Sequence, residues 1–326
     1  MVNYLVRRSL LGLLTLWLIT FVVFGLIRSM PGTPLTVGLG EMDPSRKVSP
    51  EDIERMKKTY GLDKPWPEAY VIWMGNLSRL DLGRSFSRKQ PVSTLIAERI
   101  GPTLLLSLNS LVLTYLISVP LGLAATARSG KLDERVGSTA LYMLYSLPSF
   151  VAALFLQLIF AVKLGWLPLF GMTSDDYAQL STLGKAGDLA LHALMPIVCE
   201  TYASLAYYSR FVKSNLEEVV RQDYIRTARA KGVPPRRILF HHALRNTLIP
   251  LVTLIGLTLP ALLSGAVILE QIFSWPGMGR LLFESIRERD YPTIMGLTLM
   301  FSVLTLVGQL AADVAYSLVD PRVTYS

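Results

Sequence analysis

The side chains that catalysis or metal binding would need are few in this chain and poorly placed to act together. His241 and His242 are adjacent, so on a helix they point about 100° apart and cannot hold one ion together. His192 stands alone, and the single cysteine, Cys199, permits neither an intrachain disulfide nor a cysteine-rich metal site. We therefore expect no catalytic residue and no metal site, and we expect the chain not to be an enzyme.

Nucleotide hydrolysis by this chain alone is also excluded by its sequence. A phosphate-binding loop has the pattern Gly-x4-Gly-Lys-Ser/Thr. The two Gly-Lys pairs, Gly130-Lys131 and Gly184-Lys185, lack both the upstream glycine and the hydroxyl residue. We expect no cofactor in this chain, so any chemical energy source for its activity must be bound elsewhere.

Three polar residues interrupt apolar stretches and are candidates for pore-lining or interhelical positions: Glu200, Asn109 and Gln157. A charge at the centre of a lipid-facing helix costs about 2.5–3.5 kcal/mol on insertion scales, so Glu200 should face a bundle interior or be protonated. A proton-coupled carrier acting alone would use such an acid. One buried acid does not make a proton relay, so that function is kept only as an alternative.

The composition indicates a membrane protein. The chain is 51% hydrophobic and 17% charged, whereas soluble domains carry about 25% charged residues. Residues 9–27 and 100–127 contain no charge, and roughly 20 apolar residues suffice to span a bilayer. The net charge of +8 is then explained by cytoplasmic loops that lie against anionic lipid, so we expect no nucleic-acid partner.

The apolar segments predict an all-α, polytopic membrane protein with six transmembrane helices. We place them at about 9–28, 102–127, 137–163, 190–212, 247–271 and 293–318. If the N-terminus is cytoplasmic, the inner segments hold 15 basic residues and the two short outer loops hold 5. Because Lys and Arg accumulate in short cytoplasmic loops, both termini are predicted to be cytoplasmic.

The long first outer loop contains the signals of a helix. Ser49-Pro50-Glu51 is typical of a helix start, and Tyr60-Gly61 is typical of a helix end.

The loop 210–245 is longer than a helix connection requires. It has an apolar face and an opposite basic face, which is typical of an amphipathic helix that begins near Ser214. The apolar positions are Leu216, Val219, Val220, Tyr224, Ile225 and Ala228, and the basic ones are Arg221, Arg226, Arg229 and Lys231. Gly232 and Pro234-Pro235 end this helix, and a second one is predicted at 236–245. Such a pair could lie on anionic lipid or dock into a groove of a cytoplasmic protein.

Several segments of the chain resemble a known family. The sequence Asp223-Tyr-Ile-Arg-Thr-Ala-Arg-Ala-Lys-Gly232, followed by His242-Ala-Leu-Arg-Asn246, resembles the Glu-Ala-Ala loop of ABC-importer permeases. Here Arg226-Thr227-Ala228 stand where the general pattern has Glu-Ala-Ala. Further similar segments, in order along the chain, are 27–34, 270–280, 290–292 and 319–322. The chain is identified as a member of the dipeptide/oligopeptide/nickel permease family, within the binding-protein-dependent transport system inner membrane components.

This resemblance implies a type I ABC-importer permease of the cytoplasmic (inner) membrane. It divides the chain into an N-terminal transmembrane helix (1–28), an extracytoplasmic loop (29–93), a permease domain (94–319) and a cytoplasmic tail (320–326). The expected partners are a homologous second permease subunit, two ATPase subunits that bind ATP and Mg²⁺, and an extracytoplasmic solute-binding protein. The residues expected to couple the chain to an ATPase are Tyr224, Arg226, Thr227, Ala228, Lys231 and Gly232. The expected substrates are di- or oligopeptides, with a nickel chelate, glutathione or another small solute as alternatives.

Overall fold

The protein is described from a computed structural model, which covers residues 2–30, 54, 55, 58 and 63–319. Within these ranges the regular structure is helical, apart from an isolated bridge between Arg84 and Pro91. The main helices are α1 Val2–Ser29, α2 Trp66–Leu77, α3 Val92–Ala127, α4 Leu132–Ser146, α5 Ser149–Leu156, α6 Thr182–Val220, α7 Asp223–Ala230, α8 Leu244–Ser264, α9 Val267–Ile272, α10 Met278–Glu288 and α11 Tyr291–Val319. Shorter segments are π-helical at Gln157–Lys163 and Ile238–Ala243, 3₁₀-helical at Tyr177–Gln179, and a single turn at Pro235–Arg237.

Five segments in the described ranges are long and apolar enough to cross a membrane, and the pair α4–α5 would make a sixth. They lie at Arg7–Ser29, Val92–Ala127, Thr182–Val220, Pro235–Ile272 and Tyr291–Leu310. The predicted all-helical, polytopic class is confirmed. At 1.5 Å per residue the 36-residue α3 is about 54 Å long, against a hydrocarbon thickness of about 30 Å. Its ends therefore extend beyond the hydrocarbon core of the bilayer.

The third predicted span is bent. A continuous helix over 137–163 is wrong, because α4 and α5 meet at an angle of 88°. The bend lies at Leu147 and Pro148, where Leu147 has an extended ψ of 117°. A proline disfavours the helical conformation of the residue before it, which explains why the helix breaks here.

The fourth and fifth predicted helices also differ from the observed ones. α6 continues past the predicted end at 212 to Val220, so the amphipathic helix does not begin at Ser214. The fifth helix ends at Ser264 rather than at 271, because Gly265 has a φ of +73° that a helix cannot contain. After this turn the chain resumes as the separate helix α9.

Two helices in the loops expected to be extracytoplasmic were not predicted. The first, α2, follows Pro65 and packs on α1, where the hydroxyls of Tyr70 and Thr20 lie 2.9 Å apart. The second, α10, follows α9 after a short turn. The helix predicted between Ser49 and Tyr60 lies outside the described residues.

The longest interface in the bundle joins α3 and α6, and it depends on small residues. Ser110, Thr114, Ser118 and Gly122 recur on one face of α3, and all are buried. A Cβ on Gly122 would lie 2.5 Å from Val212 Cγ1 and 3.0 Å from a backbone oxygen of α6. Small residues at such spacing let membrane helices approach closely. The two helices are therefore packed backbone to backbone near their shared end.

A buried carboxylate organises the opposite end of the bundle. Glu270, on α9, is 1% exposed and accepts hydrogen bonds from the backbone N–H of Arg280 at 2.8 Å and the hydroxyl of Thr103 at 3.2 Å. The Thr103 hydroxyl in turn accepts from the N–H of Met278 at 2.8 Å. Because a helix N-terminus presents free N–H groups and a positive dipole end, the start of α10 favours an acidic side chain that accepts hydrogen bonds at this position. The Glu270 carboxylate thereby ties α9, α10 and α3 together.

Candidate coupling site

The candidate site begins where α6 leaves the bundle. After Val220 the helix stops, Gln222 adopts an extended conformation with ψ of 151°, and α7 starts at Asp223. Asp223 lies in the first turn of α7 and Arg229 lies in its last turn, so each charge interacts favourably with the helix dipole. The eight-residue α7 therefore forms a separate helix beyond the end of α6.

One side chain anchors α7 to the rest of the protein. Ile225 is fully buried, and the helix packs against the π-helical segment that precedes α8. Burying an isoleucine contributes about 1.5–3 kcal/mol. The amide of Asn246, in the first turn of α8, donates to the Tyr224 hydroxyl at 2.7 Å. These two contacts fix the orientation of α7 relative to α8.

Gly232 ends α7 in a defined turn. Its φ is +77°, and its N–H donates to the carbonyl of Arg229 at 3.0 Å. The N–H of Val233 reaches back to the carbonyl of Ala228 at 3.1 Å. This pair of hydrogen bonds is the Schellman motif, in which the left-handed residue is most often glycine. The turn leads into Pro235–Arg237 and reverses the chain towards α8.

The remaining candidate residues form the outward surface of this helix and turn. Tyr224, Arg226, Thr227, Lys231 and Gly232 are exposed, and Ala228 is partly exposed. The Arg226 guanidinium lies 3.4 Å from the Asp223 carboxylate, and both side chains are largely in solvent. We call the segment 223–232 the knob. Its exposed face is basic and follows the charge pattern of the sequence.

The segment that the knob packs against belongs to the bundle core. Ala243, which ends that π-helical segment, forms one buried cluster with Leu216 and Val212 on α6, Leu123 on α3 and Leu251 on α8. Close-packed side chains therefore connect the support of the knob to the ends of these helices.

An ion pair joins the same region to the start of α4. Lys213 Nζ lies 2.7 Å from Glu134 Oε1 and 3.7 Å from Glu217 Oε1. The hydroxyl of Ser129 donates to Glu217 at 3.1 Å. The pairing of Lys213 with Glu134 was not predicted, because the two residues are 79 positions apart and no local pattern relates them.

This ion pair gives a testable link between the knob and α4. We expect Lys213→Met and Glu134→Gln each to lower the unfolding temperature of the detergent-solubilised chain by a few degrees. The double variant Lys213→Met/Glu134→Gln should lose less than the sum of the two single losses, since residues in contact do not contribute independently. Thermal unfolding followed by circular dichroism measures the effect. Additive losses in the double variant would show that the two side chains do not act together.

The three intramembrane polar residues are not brought together. Gln157 donates to the carbonyls of Leu169 at 2.9 Å and Ile272 at 3.3 Å, so it joins separate segments. Asn109 is exposed and donates to a carbonyl of its own helix. Glu200 is half-buried on α6 and has no side-chain hydrogen bond to the described residues. Whether any of them lines a pore stays a prediction.

The family of the chain follows from its full sequence. Residues 118–325 match the model of the binding-protein-dependent transport system inner membrane component, and residues 1–108 match the N-terminal model of the same membrane components. The chain belongs to this family. The predicted membership is confirmed, and a permease component is a membrane protein of transport systems rather than an enzyme in itself.

Curated relatives cover this permease from end to end. It is 40% identical over 327 residues to the oligopeptide transport system permease protein AppB of Bacillus subtilis, with all of both chains aligned. It is 35% identical to the di/tripeptide permease DppB of Pseudomonas aeruginosa, over 100% of this chain and 99% of that one. It is also 35% identical to the glutathione permease GsiC of Pectobacterium atrosepticum, over the whole of both chains.

A solved structure has a similar fold. The permease chain in an inward-facing structure of the MetNI methionine ABC transporter matches 69% of this chain and 97% of its own length. The TM-score is 0.53 at 19% sequence identity. At that identity the likeness concerns the fold alone, and it agrees with the predicted ABC-importer permease architecture. Among the described residues, no cluster of His, Cys, Asp and Glu could hold a metal ion.

Proposed function

We propose that the chain is one permease subunit of an ATP-driven importer and that the knob is its contact with an ATPase subunit. The exposed basic surface of residues 223–232 would lie in a cleft of the ATPase. ATP and Mg²⁺ would be bound by two such ATPase subunits. A homologous second permease would complete the translocation path, and an extracytoplasmic binding protein would deliver the solute.

The observation that carries this proposal is the combination of an exposed surface with a fixed base. Ile225 and the Asn246–Tyr224 hydrogen bond hold α7 in place, while the side chains around Gly232 face solvent. A lipid-binding amphipathic helix would instead present a continuous apolar face to the membrane. In this protein the apolar side chain of Ile225 is buried against the rest of the chain. The exposed surface of the knob is therefore polar and suited to a groove on another protein.

Di- or oligopeptides are the proposed substrates. The relatives that align over their full length are named as oligopeptide, di/tripeptide and glutathione permeases. All these named substrates are peptides or a peptide derivative. A nickel chelate or another small solute is the alternative, since the solute is selected mainly by the binding protein.

The proposed orientation follows from the position of the knob. If α7 contacts an ATPase, it lies in the cytoplasm. Three spans precede it, α1, α3 and α6, and α4–α5 makes a fourth if it counts as one crossing. Four crossings place the N-terminus on the same side as the knob. The charge distribution of the loops supports the same side for both termini. The divisions at 28, 93 and 319 are then the proposed boundaries of the first helix, the outer loop, the permease domain and the tail.

Reconstitution tests the proposed function. We expect the chain to co-purify with a second permease and two ATPases, and uptake of labelled dipeptide into proteoliposomes to require ATP and the binding protein. Uptake by the purified chain alone, driven by a proton gradient and abolished by Glu200→Gln, would instead identify a stand-alone carrier. Purification without any ATPase, from cells that express all the subunits, would contradict the importer.

A further inference from the structure

Three arginines from separate segments converge on one carboxylate at the end of the bundle opposite the knob. Arg88 lies before α3, Arg99 near the start of α3 and Arg280 in the first turn of α10. Glu284 accepts from Arg280 Nε on Oε1 at 2.7 Å and from Arg88 Nη2 on its other oxygen. Both carboxylate oxygens are therefore already paired with a guanidinium.

Arg99 has no such acceptor. It lies four residues after Leu95 and four before Thr103, both buried on the face of α3 that packs towards α10. Residues at this spacing share a helix face, so Arg99 faces the bundle rather than lipid. Its Nε is buried and has no hydrogen-bond partner among the described residues. A buried donor without an acceptor is costly, and the Arg99 side chain is only partly buried, so its guanidinium can accept an approach from a carboxylate that lies beyond the described residues.

The cluster carries an excess of positive charge. Burial alone would raise the pKa of the Glu284 carboxyl, but the hydrogen bonds from Arg280 and Arg88 outweigh it and hold this pKa below its usual range. Glu284 is thus ionised at neutral pH. The only other acid within electrostatic reach of Arg99 among the described residues is the exposed Glu98. Three guanidiniums therefore face two carboxylates, one of which is largely in solvent.

The surface around the cluster is also basic. Arg84 and Lys89 are exposed in the same segment as Arg88, before α3. A group of like charges extends the field beyond a single ion and speeds the encounter with a partner of opposite charge. This breadth favours a protein surface over a small anion.

We propose that Arg99, together with Arg88 and Arg280, receives a surface carboxylate of the extracytoplasmic solute-binding protein. The inference rests on the proposed function, because an importer of this class supplies such a partner on that side. The guanidinium of Arg99 donates to the incoming carboxylate, while Glu284 keeps the other two arginines in position. The lipid phosphate is the competing anion at this depth, and the bundle-facing position of Arg99 disfavours it.

The test compares variants of the complete transporter in nanodiscs. Its ATPase activity is measured against the concentration of the binding protein that stimulates the wild-type complex. We expect Arg99→Gln to raise the half-maximal concentration about 10–100-fold, with unchanged subunit composition. Arg99→Lys should show a smaller shift, since it keeps the charge but loses the planar donor pair. The shift should diminish at high salt.

Arg287→Gln is the control, because Arg287 lies on α10 with Arg280 and Glu284, and its exposed side chain is 4.0 Å from its own neighbour Glu288. An unchanged half-maximal concentration in Arg99→Gln, or an equal shift in Arg287→Gln, overturns the inference. A shift that follows the content of anionic lipid rather than the binding protein assigns the site to lipid and also overturns it. A wild-type complex that no binding protein stimulates contradicts the proposed function itself.

Discussion

Gly232→Glu is expected to reduce the binding-protein-stimulated ATPase activity of the reconstituted complex about tenfold or more while leaving membrane insertion intact. The space around Gly232 is open, since a Cβ there would meet no atom of the described residues within 4 Å apart from its two chain neighbours. The substitution therefore causes no clash inside the protein. The substitution adds backbone strain of about 1–2 kcal/mol, because the φ of +77° disfavours a residue with a Cβ. It also adds a charged side chain to the surface that would contact the ATPase.

Gly130 offers a matched control for this experiment. Its φ is +82°, its surroundings are equally open, and it lies in the α3–α4 turn at the same end of the bundle. Gly130→Glu should thus introduce similar strain with near-normal ATPase stimulation. Gly232→Asn separates the two causes, because Asn tolerates a positive φ better than other residues. Normal stimulation in Gly232→Glu would remove the knob from the coupling mechanism.

The sequence predicted the features that depend on local pattern. Long apolar stretches gave the helical membrane class, and Gly232 with Pro234-Pro235 predicted the end of α7 correctly. The order of apolar and basic residues also located the exposed surface of the knob. These features follow from hydrophobicity and backbone preference, which act over a few neighbouring residues.

Features that depend on distant contacts were not predictable in this way. The amphipathic pattern continues across Val220, so nothing in the periodicity indicated that α6 and α7 are separate helices. The Glu134–Lys213 pair and the approach of Arg88 to Glu284 join residues far apart in the chain. Pro148 gave a recognisable signal for a break in the third span, but a proline alone does not determine an 88° bend.

Glu270→Ala is expected to destabilise the chain by about 2–5 kcal/mol, the largest stability effect among the substitutions considered, since each buried donor left without an acceptor costs about 1–3 kcal/mol. The carboxylate is 1% exposed, and its removal would leave the Arg280 N–H and the Thr103 hydroxyl without their acceptor. Glu270→Gln should cost less, because the amide oxygen can still accept a hydrogen bond. Its NH₂ group, however, would oppose the N–H groups at the start of α10, and the interaction with the helix dipole would be lost.

Thermal unfolding in detergent measures this series, with Glu288→Gln at the end of the neighbouring α10 as the control. Glu288 is more exposed, with 28% of its side-chain surface accessible, and its replacement should leave the midpoint within about one degree because exposed ion pairs contribute little. We expect the destabilisation to increase from Glu288→Gln through Glu270→Gln to Glu270→Ala. Since Glu270 ties α9 and α10 to α3, the Glu270→Ala variant should also expose the 265–280 segment to limited proteolysis. Equal midpoints for the three variants would mean that the buried carboxylate does not hold this end of the bundle together.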